Sequence, residues 1–287
     1  MFFSMEGSAQ KSYIDKDLQS YIKRVIIESI RPYGDDISET SAIVMKSTGE
    51  VVVDVGLGYH KGKYETIATL NSEGIYCGIY KAVEYAFKRD ISSYADALYK
   101  TGIFFNTTDD GLHANEIWRP CEIMGRRSPI SMFQQVAWCS GVLLNQGKIV
   151  LRFSDLDSPE PVCTVKSSKS AIEELRKAIV LAVDSGSARL LRTPGLSVGA
   201  MLNVSEPDYI QCHTVTGFIC LQGMDGTSGF TIGLYFRKHG SAGRELVATI
   251  LRQVIDYMAT HDYMNNDHVT ANCDSMRPKY HAAEKGR

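Results

Sequence analysis

The 287-residue chain is 44% hydrophobic and 22% charged, with 31 Lys and Arg against 33 Asp and Glu and a formal net charge of −2. That apolar fraction supplies a full globular core, and nothing in the near-balanced charge favours nucleic acid or an anionic membrane surface as a partner. No apolar run reaches the roughly 18 residues of a membrane-crossing helix, and the opening MFFSMEG has neither a charged leader nor a long apolar stretch, so neither an anchor nor a secretory signal is expected.

In chain order, residues 15–31 form an amphipathic helix, with Leu18, Ile22, Val25 and Ile26 at helical spacing and Asp15 and Asp17 at its start. Residues 41–45 and 50–56 are β-branched runs around the turn Lys46-Ser47-Thr48-Gly49, the pattern of a hairpin. Helices are expected at 79–89 and 92–100, and a polar turn at 106–111. A strong helix follows over 129–146, with Pro129 suited to its first turn and Ser128 to its cap. A strand is predicted at 148–153 and a helix at 168–184. The last third reads as strands 196–204, 209–221 and 230–237, then a helix over 243–259 with Leu246, Ile250, Val254 and Tyr257 in register. Beyond Thr260 the chain turns polar and is expected to be a loose tail.

This order predicts an α+β fold. A central antiparallel sheet carries the N- and C-terminal helices on one face, and a helical lobe is inserted after the hairpin. Residues 1–260 are expected to form one domain, with the lobe over roughly 64–146 and the tail over 261–287.

The seven cysteines, Cys77, Cys121, Cys139, Cys163, Cys212, Cys220 and Cys273, include no C-x-x-C pair. They read as buried free thiols rather than a disulfide framework or zinc site. The seven histidines show no metal-ligand spacing. Asp109-Asp110 near Glu116, and Asp155 with Asp157, read as solvated turns rather than acid pairs. No cofactor is expected.

Five stretches together resemble the transpeptidase domain of high-molecular-weight penicillin-binding proteins: KSYIDKDLQS at 11–20, SAIVMKSTGEVVVDVG at 41–56, QQVAWCSGVLLNQGKIV at 134–150, SAIEELRKAIVLAVDSGSARLLRTPGLSV at 170–198, and residues 230–257. The resemblance implies three catalytic motifs. In S-x-x-K, a Ser attacks an acyl donor and a Lys one turn on takes its proton. The second is S-x-N. The third is K-T-G on a strand edge, which engages the substrate carboxylate and helps build the oxyanion hole.

All three are missing where the resemblance puts them. Ile75 stands for the nucleophilic Ser and Gly78 for its Lys. No Ser-x-Asn occurs anywhere, and Gly78 runs almost directly to Thr101, so on this resemblance much of the helical lobe is deleted and the motif with it. After Pro194-Gly195-Leu196-Ser197-Val198, Ala200 stands for the motif Lys, Met201 for its Thr and Leu202 for its Gly. Cys77 and Ser72 are the weak substitute nucleophiles. The literal matches Lys100-Thr101-Gly102, Ser20-x-x-Lys23 and Ser8-x-x-Lys11 lie in the wrong places and read as surface.

The expected function is therefore a catalytically inactive, penicillin-binding-protein-like domain with a scaffold or binding role in cell-wall-related assembly. Its partners would be cell-wall or division proteins, or peptidoglycan peptide. The alternative is an active acyl-transfer enzyme, a D,D-transpeptidase or carboxypeptidase with a displaced nucleophile. Only the resemblance implies a place in the cell envelope.

Overall fold

The computed structural model describes residues 11–67, 132–164, 169–204, 213–223, 229–239 and 243–264. Its centre is a six-stranded sheet built from β1 (Ile37–Lys46), β2 (Val51–His60), β3 (Lys63–Thr66), β6 (Leu196–Val204), β7 (His213–Gly223) and β8 (Gly229–Lys238). The order is β3-β2-β1-β8-β7-β6, and every pairing is antiparallel. A small separate ladder joins β4 (Lys148–Ile149) to β5 (Cys163–Thr164).

Both sheet faces are buried, which is why the strands read as nearly continuous apolar runs rather than alternations. On the first face, helix α1 (Lys16–Ile30) and helix α4 (Arg244–Thr260) bury Leu18, Ile22, Val25 and Ile26, and Val247, Ile250, Leu251 and Val254, against Val44, Val55, Ala200, Ile219 and Leu234. On the second, helix α2 (Met132–Trp138) and the π-helical turn Cys139–Leu144 cover Ile43, Met201, Phe218 and Tyr235. Each such side chain removed from water contributes roughly 1.5–3 kcal/mol. The two terminal helices thus share one face, as the sequence predicts.

Local chemistry sets the boundaries. The Asp15 carboxylate accepts from the N–H groups of Asp17 and Leu18 at 3.0 and 2.9 Å and caps α1. The β1–β2 turn closes through Lys46 N to Glu50 O at 2.9 Å. Gly49 sits there at φ +97°, with Val150 only 2.6 Å from where a Cβ would stand.

The predicted strand 148–153 stops after two residues. Past it the backbone takes other partners: Arg152 N donates to Gly49 O at 2.9 Å, Val51 N donates to Arg152 O at 2.8 Å, and Asp157 takes the N–H groups of Phe153 and Ser154 at 2.6 and 2.7 Å. The helix predicted over 129–146 is α-helical only at 132–138 before widening into the π turn. Residues 129–131 lie outside the described residues, as do the helices predicted at 79–89 and 92–100 and the turn at 106–111.

The chain stays docked through Met264, which is buried, while the Tyr263 hydroxyl donates to Asp15 Oδ2 at 3.0 Å. The expected tail beyond 264 lies outside the described residues.

Candidate functional site

The resemblance places the third motif on a strand edge, and β6 is that edge. Among the described residues no strand pairs with its outer side. Successive side chains alternate faces along it. Ala200 belongs to the cluster under α4, and Met201 belongs to the cluster on the second face. They are 1% and 7% exposed.

Helix α3 (Lys169–Asp184) lies along this strand. It packs close because Gly199 has no side chain: a Cβ there would stand 2.6 Å from Ile179 Cδ1. Ile172 and Ile179 bury on the second face, whereas Val183 joins the cluster on the first. The helix therefore passes around the sheet edge near the start of β6. Where it passes, a cavity of about 580 Å³ opens, lined by Val180, Val183 and Asp184 of α3, Arg192–Pro194 of the connecting loop, and Leu196, Ser197 and Val198 of β6. Three consecutive strand residues can line one cavity only from the strand's edge. Ser197 is exposed there, while Val198 to Met201 are buried.

The cavity thus carries the Thr193 and Ser197 hydroxyls and the Asp184 and Arg192 charges among apolar side chains, and Ala200 and Met201 do not line it. Ile75, Gly78, Cys77 and Ser72, on the expected opposite wall, lie outside the described residues, as does Lys100-Thr101-Gly102. Ser20 is exposed on α1, and Lys23 donates to Thr66 Oγ1 at 2.8 Å, so this S-x-x-K match is surface structure. Asp155 accepts from Lys11 N at 3.0 Å, and Asp157 holds its turn, its carboxyl kept below the usual range by those backbone hydrogen bonds. No three His, Cys, Asp or Glu side chains among the described residues are placed to share a metal ion. No described helix is long and apolar enough to cross a membrane.

Sequence reasoning missed three features. The cavity at 192–198 depends on the path of α3 and has no local signature. The Glu50–Arg152–Tyr13 cluster joins residues far apart in the chain, with Arg152 stacked over the Tyr13 ring at 4.8 Å. Cys139 and Cys220 were each legible as buried, but not as neighbours.

No model of a known protein family matches the sequence, and no curated protein matches it. Solved structures do. The transpeptidase domain of the FtsI4 D,D-transpeptidase from Legionella pneumophila is 15% identical, with a TM-score of 0.57, over 86% of this chain and 97% of that one. The transpeptidase domain of penicillin-binding protein 3 from Burkholderia pseudomallei is 12% identical, with a TM-score of 0.60, over 89% and 98%. Penicillin-binding protein 2B from Streptococcus pneumoniae is 10% identical, with a TM-score of 0.63, over 88% of this chain and 60% of that one. The chain is a mixed α/β domain with an antiparallel central sheet. Its fold is that of the penicillin-binding-protein transpeptidase domains.

Proposed function

We propose that this domain is a non-catalytic member of the transpeptidase fold, serving as a scaffold or binding module in cell-wall-related assembly. One observation carries the reading. Ala200 and Met201, where the resemblance puts the motif Lys and Thr, are buried core residues, 1% and 7% exposed. The family's chemistry needs a cation and a hydroxyl turned toward substrate at those positions. Packing at these two positions is built for apolar groups, and an unpaired charge placed there would cost several kcal/mol. The fold shared with transpeptidases, including a D,D-transpeptidase, supports the cell-wall setting. Cell-wall or division proteins, or a peptidoglycan peptide, are the partners this reading implies.

An acyl-transfer enzyme using Cys77 or Ser72 gives the opposite expectation in a turnover assay. The substrates are a peptide ending in two D-alanines, followed by release of the last residue, and a chromogenic β-lactam. The proposal predicts background rates for both, unchanged by Cys77→Ala and Ser72→Ala. Turnover that either substitution abolishes contradicts it.

A further inference from the structure

Two buried thiols lie where the π-helical turn after α2 packs on the sheet. Gly233 of β8 lies beneath α2, and a Cβ built on it would stand 2.6 Å from Val136 Cγ2 and 3.0 Å from Met132 Cε. The helix is therefore closer to the sheet here than any strand side chain would permit. A helix face recurs every three or four residues and a strand face every two. One helical step beyond Val136 is Cys139. One strand step from Gly233 on the same face is Thr231, whose register partner on β7 is Cys220. A Cβ built on Gly229 would stand 3.3 Å from Leu144 Cδ1, so the stretch from Val136 to Leu144, which carries Cys139, runs over β8 from Gly233 to Gly229 and sets Cys139 in the buried cluster that holds Cys220.

Both cysteines are free and buried, 0% and 4% exposed. They belong to one buried cluster on the second face of the sheet, and Thr231 Oγ1 lies 3.9 Å from Cys220 Sγ. Burial pushes the Cys139 thiol well above its usual range, and the adjacent Cys220 adds to the rise. The buried Cys139 thiol is held in its neutral form, slow toward bulky reagents.

We propose that Cys139 and Cys220 are an oxidisable pair that closes into a disulfide between the π-helical turn and β7. Two S–H bonds break and one S–S bond forms. The two protons and two electrons pass to a small azo oxidant such as diamide, which is reduced to its hydrazine. The cross-link closes a long loop and so constrains the unfolded chain. It also reaches the β6 edge, because Gly199, the residue before Ala200, is the register partner of Cys220. The inference does not depend on the domain being inactive.

The test uses the full chain, oxidised with diamide in native buffer and again in urea well below the unfolding transition. Remaining thiols are then alkylated and peptides mapped without reduction. The expected product is a Cys139–Cys220 peptide lacking two hydrogens, reversed by dithiothreitol and absent in Cys220→Ala, with the urea midpoint of the oxidised protein shifted upward. Recovery of both cysteines as alkylated thiols under both conditions, or their bonding only to other cysteines, overturns the proposal. The decisive readout is on the unaltered sequence, so poor folding of the variant does not obscure it.

Discussion

Gly141→Ala is the sharpest test of how the second helical layer sits on the sheet. Gly141 lies in the π-helical turn, and a Cβ there would stand 2.6 Å from Ile149 Cα and 2.9 Å from Ile149 N. Two effects oppose each other. Replacing Gly by Ala inside a helix stabilises it by about 0.8–1 kcal/mol. Overpacking a filled site costs about 1–3 kcal/mol. The upper part of that range applies, because the obstacle is backbone held by β4 pairing to β5 and by Val162 N donating to Ile149 O at 2.9 Å. The net expectation is a loss of about 1–2 kcal/mol, a fall in Tm of roughly 2–8 °C for a protein of this size. Urea unfolding with an unchanged m-value is the assay. Gly217→Ala is the control: the nearest atoms its Cβ would meet are side-chain methyls of Val247, Leu251 and Leu202 rather than backbone, so it should cost less. A Gly141→Ala protein as stable as the parent, or more so, refutes the close packing of the π turn on Ile149.

Three further outcomes follow from the same geometry. Arg152→Ala strands the Glu50 carboxylate, 2.9 Å from the guanidinium in a pair only 17% and 14% exposed, and should cost about 1.5–3 kcal/mol in urea unfolding. Asp15→Ala removes the α1 cap and the Tyr263 tie and should cost about 1–2 kcal/mol, with Asp15→Asn recovering much of it. Burial pushes the Tyr64 hydroxyl, which donates to Gly34 O at 2.7 Å and Ile37 O at 3.1 Å, up to about 12. The folded state then keeps a proton that the unfolded chain releases near its ordinary value of about 10, so this contribution is complete below about pH 10 and lost as pH rises toward 12. Unfolding free energies across that window should fall less steeply in Tyr64→Phe.

Much of the fold was legible because local signals and burial agreed. Asp15 before an apolar i, i+4 series marked α1 to within a residue. The β-branched runs around Thr48-Gly49 marked the hairpin, and the strands predicted at 196–204 and 230–237 match β6 and β8; of the one predicted at 209–221, β7 takes up residues 213–221, and 209–212 lie outside the described residues. Legibility failed where a distant residue decides the local state. The strand predicted at 148–153 ends after Ile149, because Gly49, Val51 and Asp157 take the backbone groups of residues 152–154. Strand β3 carries four residues with little apolar content, and it forms because β2 extends far enough to pair with it. For the candidate site, the resemblance points to Ala200 and Met201, whose burial the apolar run predicts, but the sequence does not show the path of α3 past the strand edge. That path is set by Gly199 admitting Ile179, a contact with no sequence period.

The most direct measurement is the intact mass of the folded protein after prolonged incubation with a reactive penicillin. The account predicts an unchanged mass, with circular dichroism showing the protein folded throughout. A stoichiometric penicilloyl adduct, mapped to one residue, would contradict the account and name the nucleophile.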